Sequence, residues 1–319
     1  PSIYEVPLAL AREGLDEILL DFLSLPHYAR DLGRWEQIVN RVKNPADEVT
    51  IAFVGKYVQL GDSYKSLNEA LVHGGIANNV RVKIAFVDSE ELETPGFPDV
   101  LARADGILVG PGFGKRGIEG KLRAIRFARE KRIPFFGICL GMQCAVIELA
   151  RHVAGLASAN STEFDQNAPH KVIYMLRDLI GVEALGGTMR LGRYPCDLLE
   201  GSLARRAYGE EQVYERHRHR YEVNQEYLEP LARAGLAFTG VSPDRKFIEI
   251  VEMPGHPWFL GCQFHPEFRS KPSAPHPLFR DFVRAARAHK HARTESQRTI
   301  SSPGITVPAV LVTPNGETA

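Results

Sequence analysis

Between Val49 and Ala154 the chain alternates short, almost wholly apolar runs with longer segments whose apolar residues recur every three or four positions. "VTIAFVG" (49–55), "VRVKIAFVDS" (80–89), "ADGILVGPG" (104–112) and "IPFFGI" (133–138) are runs of the first kind. They are too short for helices and rich in β-branched and aromatic residues, so each predicts a strand buried on both faces. "SYKSLNEALVHGGIANN" (63–79), "IEGKLRAIRFAREKR" (118–132) and the residues from Leu140 to about Ala154 predict helices, with Ser63 as N-cap of the first. Strands and helices in alternation imply a parallel sheet covered on both faces. Ligands on such sheets bind at the carboxyl ends of strands, where "GPGFGKRG" and "GICLG" both fall.

The two flanks read differently. Residues 1–25 predict one amphipathic helix, with Leu8, Leu15, Ile18, Leu19 and Phe22 at helical spacing. A polar stretch follows, and "VKNPADE" (42–48) reads as a linker. After residue 165 come several β-rich segments: "HKVIYML", "VYERHRHRYEV", "LAFTGVS", "KFIEIVEM" and "PWFLGCQFHPE". They predict an antiparallel portion added to the same domain. "HPLFRDFVRAARAHKHA" is a closing amphipathic helix, and the Ser-, Thr-, Pro- and Gly-rich residues from about Ala292 predict a mobile tail. The expected fold class is therefore α/β: a mostly parallel central sheet flanked by helices, with an added antiparallel portion. The expected division is 1–44, 45–290 and a disordered 291–319.

Composition narrows the function classes. The chain has 319 residues, 44% hydrophobic and 24% charged, and its 39 basic and 39 acidic side chains cancel. No global field recruits nucleic acid or anionic lipid, and no apolar run approaches the roughly 20 residues that cross a bilayer. The first residues lack the basic region and cleavage site of a secretory signal. Four cysteines (Cys139, Cys144, Cys196, Cys262), none in a CxxC pair, make neither a disulfide framework nor a zinc knuckle. A reduced, cytoplasmic enzyme or binding protein is expected. His73, His152, His170 and His256 have no metal-binding spacing, and no metal site is expected.

The candidate chemistry starts at Cys139. "GICLG" is G-x-C-x-G, the cysteine analogue of the hydrolase G-x-S-x-G elbow, set where a strand becomes a helix. Amides at the start of the helix favour a thiolate there. A cysteine nucleophile needs a base, and the base an orienting partner. "CQFHPEF" offers both: in an extended segment His265 and Glu267, two apart, point to the same side. A Cys139–His265–Glu267 triad follows, its members brought together only by the fold. "GFGKRG" (112–117) satisfies G-x-G-x-x-G but lies after the third strand, with no acid ~20 residues on for a ribose. It is better read as an oxyanion loop, with the N–H groups of Gly112 and Leu140 as donors. In "ERHRHRYE" alternation places Arg216, Arg218 and Arg220 on one face and His217, His219 and Tyr221 on the other. Cys144, Cys196 and Cys262 read as buried apolar fillers.

"GICLGMQ", "GFGKRGIEGK", "ANSTEF", "MRLG", "ERHRHRYEVN" and "CQFHPEF" together resemble the glutamine amidotransferase domain of the CTP synthase family, a class I (triad) amidotransferase of flavodoxin-like fold. The resemblance covers about residues 45–290, and "GKYVQLGDSYKSLNEAL" and "RHRHRYEVN" are specific to this family. Residues 1–44 resemble the last helix of the synthetase (amidoligase) domain and its linker, so the chain reads as the C-terminal part of a longer enzyme. The resemblance implies attack by Cys139 on the glutamine side-chain amide, with His265 as base and acid, Glu267 as orienter and a glutamyl thioester as intermediate. It implies Gly112, Leu140, Gly141, Met142, Gln143, Glu163 and Arg220 as glutamine-binding positions, and Lys115, Arg116 and Arg190 near a lid for GTP, the allosteric activator. This domain needs no cofactor of its own; ATP and Mg2+ belong to the synthetase domain, which converts UTP to CTP with the ammonia. The full-length enzyme is expected to be a homotetramer, with no nucleic-acid or membrane partner. Where the family reads Pro-Gly-Gly-Phe-Gly this chain reads Gly110-Pro111-Gly112-Phe113-Gly114, and Pro111 has no N–H to donate. Two alternatives stand beside this reading. One is a γ-glutamyl hydrolase or peptidase-like enzyme using the same triad, the other a docking module with little activity without its synthetase domain.

Overall fold

The computed structural model describes residues 2–56, 58, 63–94, 99–175 and 189–301. Its elements in chain order begin with α1 (Val6–Arg12), α2 (Leu15–Phe22), α3 (Gly33–Lys43), β1 (Asp47–Gly55), α4 (Lys65–Asn78), β2 (Val80–Asp88), α5 (Asp99–Arg103) and β3 (Gly106–Val109). There follow α6 (Ile118–Lys131), β4 (Phe135–Ile138), α7 (Leu140–His152), β5 (Asn160–Ser161), β6 (Lys171–Met175), β7 (Arg190–Leu198) and α8 (Leu203–Tyr208). The chain continues through β8 (Gln212–His219), β9 (Tyr221–Val223), α9 (Leu228–Arg233), β10 (Ala237–Val241), β11 (Ile248–Glu252), β12 (Phe259–Cys262) and α10 (Pro277–Ser301).

Among the described residues, nine strands form one sheet in the order β2-β1-β3-β4-β12-β11-β10-β7-β8. From β2 to β12 the neighbours run parallel; from β12 to β8 they run antiparallel. The α/β class and the added antiparallel portion are as expected, the latter continuing the parallel half as one mixed sheet. β5, β6 and β9 make a separate small sheet. The middle strands β3, β4 and β12 are buried at every position, which is why their sequences read as unbroken apolar runs. One face packs on α6 and α7 through Leu122, Ile125, Val146 and Ile147. The other packs on α4 and α10, where Phe136 meets Phe279 and Phe282 edge-on or tilted.

The flanks depart from expectation. The single N-terminal helix is two, because Gly14 at φ 73° breaks the run in a left-handed conformation that suits glycine. Ile18 and Phe22 remain exposed on it. The polar stretch and linker hold α3, whose Trp35, Ile38, Val39 and Val42 recur at helical spacing and pack with Tyr4 and Ile76. Tyr64, not Ser63, stands at the start of α4, and no side chain caps it. The closing helix passes Ala292, where a tail was expected, and runs to Ser301. It is tied down by ion pairs of Lys290 and His291 to Asp47 and of Arg293 to Asp105. Residues 302–319 lie outside the described residues. β7 and α8 had not been read from the sequence; β7 carries Gly192 and Pro195, which break its β-rich pattern.

Candidate active site

Cys139 lies between the end of β4 and the first residue of α7, at φ 52°, ψ −102°. This backbone conformation is costly for a side-chain-bearing residue and is held by its surroundings. Its N–H donates to Cys262 O (2.7 Å), and its carbonyl accepts the first helical bond of α7 from Gln143 N–H (3.1 Å). The flanking glycines answer to close packing. A Cβ on Gly141 would lie 2.1 Å from Val109 O, and one on Gly137 2.8 Å from Gly141 carbonyl C. The elbow is thus held against β3 and β12 with no room for a side chain at Gly137 or Gly141.

His265 comes from the end of the neighbouring β12, and its N–H donates to Arg216 O (2.8 Å). The sequence reading placed His265 and Glu267 on one side of an extended segment. Instead Pro266 opens a 3-10 turn, Pro266–Arg269, and that turn folds Glu267 back. Oε1 of Glu267 meets Nδ1 of His265 at 2.8 Å. Nε2, the other ring nitrogen, is buried and makes no hydrogen bond among the described residues. The adjacent β4 and β12 place the ring beside the elbow, and Cys139 interacts with it there. Burial alone would lower the His265 pKa, but Cys139 and Glu267 outweigh it and raise it to about 10.

The folded-state value lies above the ordinary 6.5, so the stabilisation from the charged ring is full below that pH and is lost as pH rises through about 10. In protein with 13C-labelled histidine the His265 ring is expected to titrate near 10. In Cys139→Ala and in Glu267→Gln the midpoint should fall, since burial is then less opposed. A midpoint unmoved in both variants would show that neither group acts on the ring.

A cavity of about 720 Å³ opens onto Cys139 and His265, with Gly112, Gln143, Glu163 and Arg220 in its walls. Gln143 donates to Tyr221 O (3.2 Å) and Gln263 Oε1 (3.1 Å). Glu163 accepts from Gly114 N–H (2.6 Å); burial raises its pKa against that bond and the charges of Lys56 and Arg220. Gly112 abuts Leu140, whose Cδ2 lies 3.2 Å from where a Cβ would stand, so the two expected oxyanion donors belong to touching segments. Gly141 and Met142 do not line the cavity: Met142 is fully buried and packs on Gly261.

The three basic residues expected at a lid separate. Lys115 and Arg116 are exposed, and Arg116 pairs with Glu90 (3.3 Å). Arg190 is buried against Glu249, which removes it from any exposed lid. The basic groups in the cavity wall are instead Lys56, Lys65 and Arg218, together with Arg220. Lys56 had a readable signal, a lysine directly after the glycine that ends β1. It donates to Phe113 O (2.6 Å) and Gly114 O (2.8 Å), holding the loop that follows Gly112. Gln263, whose Nε2 lies 3.7 Å from Cys139 Sγ, was also missed. The other three cysteines are buried, and no disulfide forms. Among the described residues no group of three or more His, Cys, Asp or Glu side chains could hold a metal, and no helix is long and apolar enough to cross a membrane.

The profile of the family "Glutamine amidotransferase class-I" matches residues 59–285. The CTP synthase of Syntrophus aciditrophicus (strain SB) is 57% identical over 295 residues, covering 92% of this chain and 55% of that protein. That of Symbiobacterium thermophilum is 58% identical over 289 residues, covering 89% and 53%. The chain thus spans about half the length of these curated relatives. A solved structure, the Trypanosoma brucei CTPS glutaminase domain with bound acivicin, is 44% identical with a TM-score of 0.71, covering 75% of this chain and 94% of that one.

Proposed function

The chain belongs to the class-I glutamine amidotransferase family, and on that premise we propose that it is the glutaminase half of a CTP synthase. The carrying observation is a cysteine at a strained strand–helix elbow, sharing one cavity with a histidine held at 2.8 Å by a glutamate. Glutamine enters with its side-chain amide toward Cys139. Glu163 faces the α-ammonium and Arg220 the α-carboxylate, opposite charges for opposite charges. The thiolate attacks the amide carbon, and the N–H groups of Gly112 and Leu140 receive the oxyanion. The His265 imidazolium gives its Nε2 proton to the departing nitrogen, and ammonia leaves a glutamyl thioester on Cys139. Neutral His265 then takes a proton from water, whose oxygen attacks the thioester, and glutamate is released as the thiolate re-forms. Glu267 holds the ring and stabilises its charged form.

In the whole enzyme the ammonia passes to the synthetase half, where UTP activated with ATP and Mg2+ becomes CTP. GTP activates glutamine hydrolysis, the assembly is a homotetramer, and the setting is the cytoplasm. The purified chain incubated with L-glutamine is expected to release glutamate and ammonia in equal amounts, slowly without its partner half. Cleavage of γ-glutamyl peptides with glutamine left intact would overturn the assignment in favour of a hydrolase.

A further inference from the structure

β8 and β9 are nearly continuous in sequence but belong to different sheets: β8 edges the nine-stranded sheet, and β9 pairs with β6 in the small one. Arg220 is the one residue between them and belongs to neither strand. It lies in the cavity wall, so its aim depends on what holds the residues on either side.

Arg190 holds both sides. Its backbone faces His219 at the end of the β7–β8 ladder. Its buried guanidinium meets Glu249 Oε1 on β11 at 2.5 Å and reaches Glu222 Oε1 on β9 at 3.8 Å. The rings of Tyr194 and Phe247 lie 4.5 and 4.7 Å from it and fix its plane. Two imidazoles continue the cluster. His217 Nδ1 meets His219 Nε2 at 2.9 Å, and His219 Nδ1 approaches Glu222 Oε1 at 3.4 Å. Burial, with Arg190 as the next cause, holds His219 neutral, its pKa down at about 3. One guanidinium thus faces two buried carboxyl groups. Burial raises the pKa of both, and the charge of Glu249 raises that of Glu222 further, while Arg190 opposes the rise in each.

We infer that Arg190 is a positioning residue for glutamine recognition: it staples the two sheets together at the strand switch and so fixes Arg220 in the cavity wall. The inference rests on the glutamine-binding role proposed for Arg220. Fold stability alone is a weak reason for such a cluster, because apolar side chains of similar volume fill a core as well. Its place, spanning the one residue at which the chain changes sheets, is what ties it to the substrate.

Arg190→Met is expected to raise KM for glutamine about tenfold or more, with kcat changed less than about threefold. Arg190→Lys should recover part of that loss. Arg220→Met should raise KM similarly, and the double variant no further, since one residue acts through the other. Amide exchange over residues 218–223 should quicken in Arg190→Met. If that variant does not fold, Glu222→Leu removes one arm of the staple, leaves Arg190 paired with Glu249, and should show the same KM rise and the same faster exchange. Additive KM effects, a fall in kcat at constant KM, or unchanged exchange would overturn the staple. A wild-type chain unable to hydrolyse glutamine would count against the proposed function instead, while the exchange measurement still decides the staple.

Discussion

Cys139→Ala is expected to lower glutamine hydrolysis by roughly 10⁴-fold or more, the scale on which loss of a nucleophile acts. The fold should survive. Alanine is smaller than cysteine, carries a Cβ like it, and loses none of the backbone bonds that pin the elbow to Cys262 and Gln143. A glutamine-analogue electrophile should label the wild-type chain once and the variant not at all. That selectivity has a physical basis in the other thiols. Burial raises the pKa of Cys144 to about 12 and pushes Cys196 and Cys262 up as well, so none offers thiolate at neutral pH. Mass spectrometry of the labelled peptides reads the result directly. Undiminished labelling of Cys139→Ala would place the reactive group elsewhere.

The second large effect is on folding. Gly141→Ala would put a methyl group 2.1 Å from Val109 O and 3.0 Å from its carbonyl carbon, both backbone atoms of a fully buried strand. Neither can step aside as a flexible side chain does, so α7 must move away from β3 or the elbow must open. A loss of about 3 kcal/mol or more is expected, which for a domain of this size lowers Tm by roughly 6–12 °C. Gly33→Ala is the control: its methyl group would meet nothing nearer than Asp31 Oδ1 at 3.4 Å, and Tm should barely change. A Gly141→Ala protein melting with the wild type would mean that the elbow has slack that the packing denies.

Strands β1 to β4 and the helices α4, α6 and α7 were legible because a buried parallel strand and an amphipathic helix each write their burial into a local period. The N-terminal region misled for a related reason. A helical period runs through Leu15, Ile18, Leu19 and Phe22, but the break at Gly14 depends on one backbone angle, and the sparse apolar residues of α3 count only because Ile76 and Tyr4 wait for them. His265 and Glu267 were rightly paired, for a reason the structure revises. A 3-10 turn brings them together where strand alternation had been expected to. Arg190 shows the opposite outcome. The family resemblance set it near a lid for GTP; its ion pair with Glu249 came from a strand 59 positions away.

From the sequence alone, then, come the strand–turn–helix elbow at Cys139, the alternation that sets His217 and His219 on the face opposite Arg216 and Arg218, and the family to which the motifs point. Each is carried by neighbours within a few residues, whose sterics and period are set before any distant contact forms. The tertiary structure decided which strands lie side by side, and with them the meeting of Cys139 and His265, the burial of Arg190, and the switch of sheets that leaves Arg220 in the cavity wall. Those depend on strand order and register, which arise from the packing of the whole core and leave no mark within any single segment.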